Sequence, residues 1–158
     1  MRTVSGIEVT TVSTTAQFPV GGVFSVAQPG TDLPPSVWRY VKCVTTALAA
    51  GDLASYLLTT DGLGKSHVLK SLATAGHKAS IAGVAQHAIA LLSYGFIQIG
   101  GVGVVKVAGT PAVGIGLVDS GTTGVAAAAA DVTKGIIGMN MVVGNSGAAV
   151  TCIITLEQ

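Results

Sequence analysis

Two features of this chain offer residue types that could do chemistry at a site of their own. The first is GLGKS at residues 62–66, placed after an apolar run as a phosphate-cradling loop would be. Such a loop needs a glycine five positions before Gly64, so that backbone N–H groups can wrap the phosphates, and Thr59 stands there. No later acidic strand end offers a magnesium ligand, so nucleotide binding is not expected. The second is the set of three histidines, His67, His77 and His87. They lie in separate settings without the spacing of a metal site, and no metal is expected.

Two further fragments look like parts of hydrolases. LVDSGTTG, residues 117–124, is similar to the Asp-Ser/Thr-Gly loop of aspartic proteases, in which two such loops share a proton between carboxylates. IIG at 136–138 is similar to the apolar segment that supports that loop. A retroviral-type subunit needs a flap and several strands between the two pieces, and here only a short Ala-rich run separates them. Asp119 is therefore expected in a turn, with such a protease kept as the enzymatic rival. GNSG around Ser146 is similar to a serine nucleophile loop, but a triad also needs a base and an orienting acid at supporting spacing. No catalytic residue, cofactor site or metal site is assigned, and the chain is read as a non-enzyme.

The elements that would position any site are organised around residues 83–107, GVAQHAIALLSYGFIQIGGVGVVKV. Between Lys78 and Lys106 there is no Lys, Arg, Asp or Glu. SYGFIQIGG is expected to be a strand buried on both faces that turns at its paired glycines. Before it, residues 1–35 read as an extended N-terminal arm. Thr and Ser dominate its start, Pro19, Pro29, Pro34 and Pro35 interrupt regular structure, and Phe18, Val20 and Phe24 are apolar anchors for another surface. A disordered leader is the alternative.

Residues 36–158 are expected to form a single β domain. VWRYVKCVT and LASYLLT are joined through a turn at Gly51 and Asp52, so the pair reads as a hairpin. Residues 68–75 stay open between a short helix and a strand. AVGIGLV is expected as a strand, residues 126–130 as a small-residue strand or loop, and the closing segments as a strand pair about GNSG. Many short strands with Gly and Pro turns add up to an all-β fold, a compact barrel or sandwich.

Composition narrows the function. Charged residues make up 9% of the chain and hydrophobic ones 49%, with a mean hydropathy of +0.69, against roughly 25% charged in ordinary soluble domains. Such a surface is expected to meet other protein. A net charge of +1, with Lys and Arg scattered, gives no reason to expect nucleic acid. Residues 88–105 are long enough to span a bilayer as a helix, but Gly95, Gly100, Gly101 and Gly103 crowd their second half. No membrane partner is expected. The start has no apolar run behind Arg2, so no secretory signal is read there. Cys43 and Cys152 are expected as buried free thiols, as suits a reducing compartment.

Three pieces taken in order, FPVGGVFSV with WRYVKCVTTALAAGD, then GVAQHAIALLSYGFIQIGG, then GIIGMNMVVGNSGAAVTCIITL, give the chain a resemblance to small virion structural proteins of tailed bacteriophages. In particular it resembles head decoration or cement proteins. The resemblance implies a β domain, often trimeric, fastened by its arm where capsid subunits meet, with the major capsid protein and its own copies as partners and no cofactor. It also implies a place on the capsid surface of the virion after synthesis in the host cytoplasm. A tail, baseplate or host-adhesion component is the alternative. The candidate partner-binding residues come from this chain itself: Phe18 and Phe24 on the arm, and Trp38, Arg39 and Tyr40 where arm meets domain, since Trp, Tyr and Arg are common interface anchors.

Overall fold

The computed structural model describes residues 2–3, 6–28, 33–57, 67–70, 81–120, 122–128, 139–143 and 149–156. Among them run eleven strands: β1 (Arg2–Thr3), β2 (Val23–Val26), β3 (Ser36–Cys43), β4 (Leu53–Tyr56), β5 (His67–Lys70), β6 (Ile81–Ala85), β7 (Tyr94–Ala108), β8 (Leu117–Asp119), β9 (Ala126–Ala128), β10 (Met139–Val143) and β11 (Ala149–Thr155). No helix occurs among the described residues, so none is long and apolar enough to cross a membrane.

β7 is the axis of the fold because its 15 residues are long enough to serve two sets of neighbours in succession. Its first half pairs antiparallel with β3, from Lys42↔Tyr94 to Val37↔Gly100. Its other edge meets β6 through Val84↔Gln98 and Ala85↔Ile97. β6 pairs with β4 and β4 with β5, both antiparallel. β5 then returns to β3 in parallel, through Lys42↔His67 and Cys43↔Val68. Five strands thus close on themselves in the order β3, β5, β4, β6, β7. The all-β expectation holds, with this closed ring at its centre.

The second half of β7 leaves the ring and pairs antiparallel with β11, from Gly100↔Thr155 to Lys106↔Ala149. β10 lies beyond β11, and the β8–β9 hairpin joins the far end of β7. The departure is set by backbone chemistry at Gly101. Here φ is +91°, and an added Cβ would lie 3.0 Å from the Ser36 Cα and 3.2 Å from the Pro35 carbonyl oxygen. Only glycine takes that conformation so close to another backbone. One residue earlier the β3–β7 register slips, so that two steps on β7 match one on β3. That is a β-bulge, which bends the longer strand. The turn expected at the paired glycines is therefore a bulge within one continuous strand.

Side-chain alternation sorts the apolar residues into three clusters. Val41, Cys43, Ala54, Val68, Ala82 and Ile97 fill the ring, with Leu48 and Ile89 at one end. Leu53, Val84, Val105, Leu117, Val150, Cys152 and Ile154 form a second core under β11 and the β8–β9 hairpin. Trp38, Tyr40 and Phe96 face outward from β3 and β7, and Ile7, Val9, Phe18 and Phe24 cover them.

Several local expectations are corrected. β3 and β4 are not a hairpin, because β5 lies between them. The turn at Gly51 and Asp52 does form, and it hands the chain to a strand two places away. AVGIGLV is mostly turn, with strand beginning only at Leu117. Residues 126–128 are a strand, and β10 with β11 is the expected terminal strand pair. GNSG, GLGKS, His77 and the IIG at 136–138 lie outside the described residues. Cys43 and Cys152 are buried and free. Burial pushes the Cys152 thiol up to about 12.

Candidate partner-binding surface

The structure brings the five candidate anchors together on β2, β3 and the segment before them, and divides them between two faces. Phe24 stands opposite Trp38, and Val23 opposite Arg39, in the β2–β3 ladder. Phe18 lies with its ring centroid 5.5 Å from Phe24, 5.2 Å from Tyr40 and 5.3 Å from Phe96. Tyr40 and Phe96 are 4.9 Å apart. Rings at these separations and tilts attract through their edges and faces as well as through buried area. Backbone bonds hold the same contact: the Gly21 N–H donates to the Tyr40 carbonyl at 2.7 Å, and the Tyr40 N–H to Gly22 at 2.9 Å. The Gln17 N–H donates to the Tyr40 hydroxyl at 3.1 Å, and the Trp38 indole to Ser36 Oγ at 2.8 Å. Phe18, Phe24, Trp38 and Tyr40 therefore fasten residues 6–26 to this chain's own body. Trp38 and Tyr40 are buried in doing so.

Arg39 is different. It belongs to the opposite face of β3 and reaches across the open end of the ring, where its guanidinium lies 5.6 Å from the centroid of Tyr56 on β4. Its Nε is buried and has no hydrogen-bond acceptor. Burial pulls the guanidinium below its ordinary value.

The ion pairs among the described residues lie elsewhere. Asp52 is only 1% exposed and receives Lys106 Nζ at 2.7 Å on one oxygen and Lys70 Nζ at 2.8 Å on the other. The Ala49 N–H also donates to it at 2.8 Å. Burial alone would raise the Asp52 carboxyl, but these donors outweigh it and hold the group below its ordinary value. The arrangement bolts the Gly51–Asp52 turn to β5 and β7. Sequence reading saw Asp52 only as a turn residue, since neither lysine is near it in the chain.

Beside the ring mouth, Val37, Ile99, Gly100, Gly101, Ile154, Thr155 and Leu156 line an open groove of about 320 Å³. Next to it, the outward face of β7 and β11 exposes Val104 and Ile153, with Val102 directly opposite Ile153. No charged residue occurs from Gly100 to Val105 or from Ala149 to Thr155. This apolar face was missed by sequence reading, though the absence of charge in both segments was its signal.

The hydrolase-like fragments take ordinary places. Asp119, expected in a turn, is instead the last residue of strand β8, opposite Ala126, and the connection after it is closed by the Ser120 N–H donating to the Val125 carbonyl at 3.1 Å. His67 is on β5. His87 follows β6 with both ring nitrogens buried and unpartnered, and burial lowers it while Glu8 opposes that shift. No cluster of metal-ligating side chains occurs among the described residues.

Fold and surface together define an all-β structure in which residues 6–26 pack on β3 and β7 and an apolar face is left open. No protein-family model and no curated protein sequence matches the chain. Among solved structures, the head fiber gp8.5 N base of bacteriophage phi29 is similar at 16% identity and a TM-score of 0.49, covering 78% of this chain and 99% of that one. An overlap that loose carries neither a strand-by-strand correspondence nor a function.

Proposed function

We propose that the chain is a non-enzymatic structural protein of a phage virion, a decoration or cement protein that binds the outer capsid surface and stabilises the head. The observation that carries this reading is the uncharged outward face of β7 and β11, where Val102, Val104 and Ile153 lie side by side. An apolar patch that folding leaves exposed marks a contact with another protein. The resemblance of the ordered sequence segments to head decoration proteins names the class of partner, the major capsid protein, and its own copies in a trimer. The work done is thermodynamic: apolar area buried against the shell contributes about 25 cal/mol per Å², and several contacts per oligomer multiply the effect.

Head and tail roles separate by location. Virions of the phage that encodes the chain are split into heads and tails, and each fraction is quantified by mass spectrometry. The decoration reading expects the chain with heads, in a fixed ratio to the major capsid protein. Recovery with tails or baseplates would replace it with the adhesion alternative.

A further inference from the structure

Arg39 is a cation set up for an acid that the described residues do not supply. The ion pairs there join only Lys70 and Lys106 to Asp52, and the buried Arg39 Nε lacks an acceptor. Its guanidinium is held against Tyr56, and an arginine so placed keeps its planar fork oriented for a carboxylate. A half-buried charge left unpaired destabilises the free protein, and an incoming acid removes that cost. Beside it, Val37, two residues earlier on the same strand face, lines the apolar groove with Ile99, Ile154 and Leu156.

We propose that the Arg39 guanidinium and this groove form one docking site for an extended segment of a partner protein, one that offers a carboxylate next to an apolar side chain. The carboxylate takes the Arg39 fork and the neighbouring side chain enters the groove between Val37 and Ile154. Charge complementarity selects this occupant over a purely apolar one. The aromatic anchors hold the chain's own arm, so Arg39 is the member of the five that remains for a partner. The site deepens the virion reading and rests on it only for the source of the segment.

The chain contains two arginines, Arg2 and Arg39, so their side-chain N–H signals are easily assigned by NMR on ¹⁵N-arginine-labelled full chain. The probes are a blocked hexapeptide of alternating valine and glutamate and its valine–glutamine counterpart. The expected result is a saturable shift of the Arg39 Nε–H signal with the glutamate peptide alone. Arg39→Gln should weaken that peptide at least tenfold, read on the backbone signals of Val37 and Leu156 in uniformly ¹⁵N-labelled full chain, and Arg39→Lys should restore only part of the loss. Equal response to both peptides, or none to either, would overturn the proposal. So would an Arg39 signal in the free chain that moves on Glu157→Gln, since the chain would then supply its own acid. The titration needs no capsid, so its failure removes this site and leaves the virion reading to the separated heads and tails.

Discussion

Asp52 shows how a single side chain can tie distant strands. Its carboxylate is nearly inaccessible, and two lysines from β5 and β7 with one backbone N–H surround it. Removing one partner of a buried ion pair costs about 3–5 kcal/mol, so Asp52→Asn should lose about 3 kcal/mol in urea unfolding at pH 7. The pH dependence follows from the depressed carboxyl. Its stabilisation is fully present above the ordinary value of 3.8 and is lost as pH falls through the lower folded value. Unfolding measured from pH 6 to pH 2 should show the wild type losing stability below about pH 4, with the Asn variant lacking that component. Parallel curves for the two proteins would mean that the lysines do not stabilise the charge. Little of this was legible in the sequence, because Lys70 and Lys106 meet Asp52 only where β5 and β7 are folded beside the Gly51–Asp52 turn.

At the level of elements, β7 is a strand that changes partners, and the change is made at Gly101. Gly101→Ala forces a left-handed φ on a side chain that also meets the Ser36 and Pro35 backbone, whereas Gly109→Ala has φ +75° with nothing within 4 Å. The conformational cost is about 1–2 kcal/mol in both. Gly101→Ala should exceed Gly109→Ala by a further 1 kcal/mol or more, on the order of what overpacking costs, and equal losses would remove the bulge's special role. The arm makes a second case. Phe18→Ala should destabilise the free chain by about 2 kcal/mol, less than a fully buried phenylalanine, since its ring packs on Tyr40 and Phe96. No change would show the arm detached in solution. The aromatic anchors were legible as anchors from residue type. Their seat was not, because their partners lie on β3 and β7, and non-local pairing leaves no mark in local spacing. Likewise the uncharged run from Ala79 to Val105 announced the core strand, while the parallel β3–β5 pair that closes the ring had no local signal.

On the scale of the whole molecule, low charge and an open apolar face argue for assembly. A trimer would have a mass of about 47 kDa by light scattering, three times 15.6 kDa. The β7–β11 face and the arm make different claims on that oligomer. With self-association in the body, Val104→Glu together with Ile153→Glu should shift the mass toward the monomer, while Phe18→Ala should leave the oligomer intact. A monomeric wild type at all concentrations would remove self-association from the account and leave the face for the capsid alone.

A chain that reinforces a head by binding its outside should raise the temperature at which heads release their DNA. Heads prepared without the chain are mixed with increasing amounts of the purified protein and heated. The release temperature should rise and saturate at a fixed ratio of chain to capsid subunit, because each bound copy would stabilise the closed shell. A release temperature unchanged at saturating protein would contradict that role.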